Sequence, residues 1–194
     1  MGHRQPCGVG AEGQRHRPLS GRDLRRAGAL SLHALWAQAK LCGESPEKPG
    51  IAHNQLTEAE LHTRDTKDPD ALLQAAWSIE AARVLAWIVG FVDLEPTRLD
   101  LADPQELYDV LGFDNDDVPE GKPRSLQEMY EAWERTLSLR RYGVDMRVWC
   151  SQDAPIPDTA RELTEQDESI LLERHDAFVW FMDPLVPSYD RVDL

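Results

Sequence analysis

The chain has 194 residues and a formal net charge of −14, from 21 basic and 35 acidic side chains. Its composition, 41% hydrophobic and 29% charged, is typical of one globular domain and not of a disordered chain. The acidic balance argues against nucleic acid as a partner and against docking on anionic membranes, because both interactions need a basic protein surface.

The charge is unevenly distributed along the chain. Residues 1–29 contain six arginines and only two acidic residues, whereas the remainder is strongly acidic. Residues 1–19 are rich in glycine, proline, arginine and histidine and show no apolar periodicity. We therefore expect residues 1–19 to form a disordered basic tail and residues 20–194 to form the folded domain.

Cysteine usage and hydropathy indicate a cytoplasmic protein. The three cysteines, Cys7, Cys42 and Cys150, are odd in number and have no Cys-x-x-Cys spacing, which disfavours a disulfide scaffold and a zinc knuckle. The longest apolar run without charge, residues 84–92, is far shorter than the ~20 residues of a membrane helix. No phosphate-binding, nucleotide-binding or metalloprotease motif is present, so we expect no cofactor and no metal.

Start and stop signals in the sequence predict about six helices. In chain order they run from Ser20 to about Cys42, from Thr57 for a short distance, over 68–89, from Asp103 to about Leu111, over 125–150 with a possible kink at Gly143, and over 164–182. No segment alternates with a period of two. The sequence therefore predicts an all-α, single-domain, irregular helical bundle.

Charged residues interrupt the apolar stripes of three predicted helices. The stripes are Leu73, Trp77, Glu80, Val84 and Trp87 on the third helix; Leu126, Tyr130, Trp133, Leu137, Arg141, Val144 and Val148 on the fifth; and Leu171, Arg174, Phe178 and Phe181 on the sixth. The second half of the sixth helix, residues 177–182, is apolar nearly all round, which predicts a central position in the core.

These charges form one candidate buried polar constellation, made of Glu80, Arg141, Glu173, Arg174 and His175. The interpretation that we favour is a structural ion-pair network, in which Glu80 meets Arg174 or Arg141, because an unpaired buried charge is very costly. The alternative is an open polar pocket, with Glu80 or Glu173 as a base, His175 as an acid and an arginine that binds an anion.

Five segments together resemble the bacterial family known as domain of unknown function 4272. They are Arg25–Leu35, Trp77–Ala81 leading to Gly90, Glu128–Trp149, Glu173–Trp180 and Tyr189–Asp193. The chain departs from the family pattern at Ser78, where the family usually has Arg, and at Tyr189, where it usually has Trp. The resemblance, over residues 24–194, implies a small helical cytoplasmic protein and implies no activity.

Three hypotheses for function follow from these patterns. The first is a non-catalytic acidic interaction module, for example an immunity or inhibitor protein that binds a basic partner. The second is an enzyme of unknown reaction that uses Glu80, Glu173, Arg174 and His175. The third is a homo-oligomer. Solvent access to the polar constellation tests the second hypothesis, because catalysis requires an open pocket whereas a structural network is sealed and internally paired.

Overall fold

The computed structural model describes residues 21–43, 57–111, 121–152 and 160–183, and the predicted tail 1–19 lies outside these ranges. Its regular structure is helical throughout the described ranges, which confirms the predicted all-α class. The six helices are α1 (Gly21–Leu41), α2 (Glu58–Asp65), α3 (Pro69–Ile88), α4 (Pro104–Leu111), α5 (Leu126–Ser151) and α6 (Glu165–Met182). None of these helices has the length and apolar character needed to cross a membrane.

Local capping chemistry sets where the helices begin. Capping boxes, in which a hydroxyl and a carboxylate three residues later each accept from the other residue's backbone N–H, start three of them. The pairs are Thr57 with Glu60, Ser125 with Glu128, and Thr164 with Asp167. The hydrogen bonds from Ser125 also lower the pKa of the Glu128 carboxyl. Each box is readable in the sequence, so these starts are predicted correctly.

The core forms around α3, which contacts α1 on one side and α6 on another. The second half of α3 is buried on all faces, from Ile79 to Ile88 apart from Arg83. On α6, Phe178 and Trp180 are buried as predicted, and Trp87 meets Phe178 edge to face with ring centroids 6.0 Å apart. Helix α5 packs against α6, at the edge of the bundle.

Small residues allow α1 and α3 to approach closely. Both helices bury alanines at their contact, including Ala27 and Ala34 on α1 and Ala81 and Ala82 on α3. The hydroxyl of Ser78 is buried there and lies 2.7 Å from the carbonyl oxygen of Ala75 and 3.2 Å from that of Leu30. The serine thus satisfies its own hydroxyl without separating the two helices.

Two of the predicted apolar stripes need correction. Leu73 on α3 is 52% exposed, so only the later part of that stripe faces the core. On α5 the face that is buried consists of mostly small or flexible residues, namely Met129, Ala132, Thr136, Gly143 and Met146. Most of the larger side chains predicted to be buried lie instead on a flank of α5, and among them Trp133 is partly buried against the core.

The sequence allowed a possible kink at Gly143, but α5 continues through this residue without interruption. A Cβ atom at this position would lie 3.1 Å from Cδ1 of Leu163 and 3.4 Å from Oε1 of Glu168. The glycine therefore allows the segment that begins α6 to lie close to α5.

The connection after α3 crosses the segment before α5 at very short range. Gly90 has φ of 88°, and a Cβ atom there would lie 2.0 Å from the carbonyl oxygen of Lys122. A Cβ atom at Gly121 would lie 2.2 Å from the carbonyl oxygen of Val89. Arg124 completes the crossing, since its backbone N–H donates to the carbonyl of Ile88 at 2.9 Å.

This crossing predicts that Gly90→Ala destabilises the protein much more than Gly43→Ala. Both glycines have a left-handed backbone conformation, which an alanine adopts at a cost of about 1–2 kcal/mol. No described residue lies within 4 Å of a Cβ at Gly43, whereas at Gly90 the backbone of residue 122 must move. We expect Gly90→Ala to lose a further ~1–3 kcal/mol, measured from urea unfolding midpoints. Equal midpoints for the two variants would contradict the close crossing.

Candidate functional site

Glu80 and Arg174 form an ion pair at the centre of the protein. Both side chains are 0% exposed, and Nε of Arg174 donates to Oε2 of Glu80 at 2.8 Å. The pair joins α3 to α6, at positions that the sequence places on the apolar stripes of both helices. Whether this pair could also bind a ligand depends on whether the remaining polar atoms of both side chains are already hydrogen-bonded within the protein.

Those remaining atoms are bonded to the loop between α3 and α4. Nη1 of Arg174 donates to the carbonyl of Arg98 at 2.9 Å, and Nη2 donates to the carbonyl of Asp100 at 3.2 Å. The second carboxylate oxygen of Glu80 accepts from the backbone N–H of Ala102 at 2.7 Å. Burial lowers the pKa of Arg174, and the adjacent Glu80 carboxylate acts in the opposite direction.

Glu173 and His175 face different neighbours from Arg174. Oε1 of Glu173 accepts from Nε2 of Gln74 on α3 at 3.3 Å. Nδ1 of His175 lies 3.1 Å from Nη1 of Arg140 on α5 and 3.4 Å from Oδ1 of Asp176. Three consecutive side chains of α6 are therefore buried and bonded in three separate directions.

Arg141 does not join this group, which corrects its assignment to the buried constellation. It is exposed on α5, while its neighbour Arg140 points toward α6 and contacts His175. The sequence could not distinguish these two arginines, because the predicted buried face of α5 was wrong. With the face that α5 actually buries, Arg141 points outward and Arg140 points inward.

Glu80 and Arg174 pair with each other, whereas Glu173 bonds to Gln74 and His175 contacts Arg140 and Asp176. This arrangement is that of a structural network that links α3, α5 and α6. None of the four buried residues Glu80, Glu173, Arg174 and His175 lines either of the two surface clefts described next. In the part of the chain that the structure describes, no three His, Cys, Asp or Glu side chains are grouped to hold a metal ion. The network can fix the register of α3, α6 and the loop.

A second buried ion pair was not foreseen from the sequence. Nη1 of Arg26 on α1 lies 2.7 Å from Oε1 of Glu60 on α2, and both side chains are largely buried. Oε2 of Glu60 accepts from the backbone N–H of Thr57 in the capping box. The capping box was the available signal, since it fixes the direction of Glu60, but it gave no indication of Arg26.

The first surface cleft, which we call the acidic cleft, lies between the α3–α4 connection and α4. It has a volume of ≈ 390 Å³. Its apolar lining includes two partly exposed side chains, Leu101 at 50% and Val110 at 38%. Asp93, Asp103 and Glu106 are the acidic side chains of its lining.

Charge around the acidic cleft is mostly negative, although the basic residue Arg83 also lines it. The segment 93–109 contains six acidic residues and one basic residue, Arg98. Arg98 forms an ion pair with Asp100, and Asp93 is paired with Arg124 at 2.9 Å. The concentration of acidic residues is visible in the sequence, but their assembly around an apolar cleft requires the fold.

The second cleft, of ≈ 690 Å³, follows the outer flank of α5. Tyr130, Trp133, Leu137 and Arg141 line it, together with Thr97 from the α3–α4 loop. This flank carries the apolar residues that were predicted to be buried, and we call it the α5 stripe: Leu126, Tyr130, Trp133, Leu137, Arg141, Val144 and Val148.

Comparison with known proteins identifies a family. A family model described as Domain of unknown function (DUF4272) matches residues 24–192, nearly the whole chain. The comparisons find no match among curated proteins and none among solved structures.

Proposed function

This chain belongs to the DUF4272 family, a domain of unknown function, and we propose that it is a non-catalytic acidic module that binds a basic protein partner. The observation that carries the proposal is the acidic cleft, in which acidic side chains outnumber basic ones around exposed apolar side chains. Asp103 and Glu106 line it with Arg83, and Asp93 is paired with Arg124. Apolar contact supplies affinity at such a surface, and charge complementarity speeds encounter and selects the partner.

The distribution of polar residues between the interior and the surface favours a binding module over an enzyme. The charged groups that could perform acid–base chemistry, Glu80, Glu173, Arg174 and His175, are buried and bonded to one another, to Arg140, Gln74 or the loop backbone. The acidic residues of the cleft are instead at the surface. An inhibitor or immunity-type protein needs this arrangement, because it presents charge to its partner on a rigid framework.

We further propose a cytoplasmic location in a bacterial cell. Cys42 and Cys150 are exposed free thiols. Exposed free thiols are typical of a reducing compartment, because oxidising compartments convert them to disulfides.

The test compares the wild-type protein with the triple variant Asp93→Asn/Asp103→Asn/Glu106→Gln as baits in extracts of the native host. Asparagine at 103 preserves the cap of α4, in which the Asp103 side chain accepts from the backbone N–H of Gln105 at 2.8 Å. The captured protein is then purified and its affinity measured. We expect a basic protein whose affinity for the variant is about tenfold weaker, or ~1.4 kcal/mol.

A matched control removes the same charge elsewhere, through Glu131→Gln/Glu162→Gln/Glu165→Gln. These three residues are exposed and lie outside the acidic cleft. The control should retain wild-type affinity, and added salt should weaken binding of both proteins. Equal losses in the two triple variants would show that net charge alone is involved and would reject the cleft as the binding site.

A further inference from the structure

The α5 stripe is an apolar surface with an internal symmetry; its outer members are exposed, whereas Leu137 and Trp133 are partly buried and Trp133 also packs against the core. Leu126, Tyr130, Val144 and Val148 are between 44% and 49% exposed although all are apolar or aromatic. Successive stripe residues are separated by 4, 3, 4, 4, 3 and 4 positions. Counted outward from Leu137, the middle residue of the stripe, the spacings are the same toward both ends of the helix. A surface with this property is complementary to itself when a second copy lies antiparallel to it.

We propose that the α5 stripe is a homodimer interface, in which two copies of α5 pack antiparallel around a twofold axis at Leu137. In that arrangement Leu126 lies opposite Val148 of the second copy, and Tyr130 lies opposite Val144 of the second copy. Leu137 lies opposite itself. Each exposed apolar side chain thereby acquires an apolar partner, as knobs of one helix fill spaces on the other.

The polar members of this surface are complementary in the same arrangement. Arg141 lies opposite Trp133 of the second copy, where its guanidinium can stack on the indole ring. Glu134 is exposed on the edge of the stripe, seven residues or about two turns before Arg141. In this register Glu134 faces position 140 of the second copy, one residue from Arg141, so Glu134 and Arg141 of the second copy lie side by side. The twofold axis creates this ion pair twice. The charges therefore favour the antiparallel pairing of like copies.

The size of the stripe indicates a weak dimer. From residue 126 to residue 148 the helix is about 33 Å long at 1.5 Å per residue, and a stripe ~10 Å wide buries much less than the ~800 Å² per partner of a standard interface. Each copy also carries a net charge of −14, which opposes association. The dimer should therefore appear as concentration increases, and it should be sensitive to single substitutions.

The stripe and the acidic cleft lie on different helices, so this inference stands apart from the proposed basic partner. The experiment is sedimentation equilibrium of the purified protein alone, over a wide range of concentrations. We expect reversible dimerisation of the wild type. Glu134→Arg and Arg141→Glu should each weaken it by at least about tenfold, because each brings like charges together at the dyad.

The double variant Glu134→Arg/Arg141→Glu should restore wild-type dimerisation, since the exchanged charges pair again. Net charge cannot explain this pattern, because the two single variants change it in opposite directions. Lys67→Glu, an exposed position between α2 and α3 that does not line the α5 cleft, is the matched control and should dimerise like the wild type. Circular dichroism verifies that the variants are folded. A wild type that stays monomeric, or a double variant that fails to recover, would overturn the proposal.

Discussion

Glu80→Ala is expected to lower the free energy of unfolding by about 3–5 kcal/mol, because it strands a buried guanidinium. Arg174 is 0% exposed, and within the described residues its other hydrogen-bond acceptors are the backbone carbonyls of Arg98 and Asp100. The backbone N–H of Ala102 also loses its acceptor. Urea unfolding followed by circular dichroism measures the effect.

Glu162→Ala provides the comparison, since Glu162 is exposed and lies outside the helices. Its midpoint should differ from that of the wild type by no more than the ~0.5 kcal/mol usual for a surface change. If both alanine variants unfold at the same urea concentration, the ion pair contributes nothing to stability and the network interpretation of the four buried residues fails.

Trp180→Ala is expected to produce an insoluble or molten protein. Trp180 is 4% exposed and belongs to the main apolar cluster with Trp87 and Phe178. Truncation of a buried aromatic residue costs about 3–5 kcal/mol, a large share of the roughly 5–15 kcal/mol by which such a domain is stable. Thermal unfolding and near-ultraviolet circular dichroism would detect the loss of packing.

Trp149→Ala is the matched substitution at an exposed site, since Trp149 is 38% exposed near the end of α5. That variant should melt within a few degrees of the wild type. A soluble Trp180→Ala protein with an unchanged melting temperature would mean that α6 is not the centre of the core.

Helix starts and the central position of α6 could be predicted because their signals are local. Thr57, Ser125 and Thr164 are followed by an acid three residues later, and that spacing alone specifies a capping box. Residues 177–182 are apolar nearly all round, so their burial does not depend on how the helix is rotated. Both predictions hold because neither requires knowledge of a neighbouring helix.

The buried face of α5 could not be predicted, because the largest side chains of this helix are not the ones that it buries. Apolar size favoured the stripe with Tyr130 and Leu137, whereas the contact with α6 selects Ala132, Thr136 and Gly143. Which face a helix buries depends on the shape of the surface against which it packs. The sequence of α5 alone contains no information about the shape of α6.

The candidate site shows the same division between local and tertiary information. Glu80 and Arg174 stand on apolar stripes, so a buried ion pair between them was one of two alternatives. The backbone carbonyls of Arg98 and Asp100 could not be anticipated, because every residue carries a carbonyl and only the fold chooses among them. The acidic cleft likewise requires the connection after α3 to turn back on α4.

The central ion pair has a consequence for how the protein is made. Glu80 and Arg174 are separated by 94 positions in the chain. While the ribosome is still synthesising the residues between them, Glu80 has no counter-charge, and burying a lone carboxylate is strongly unfavourable. We therefore expect helices α1 to α4 to reach their final packing only after α6 has emerged from the ribosome.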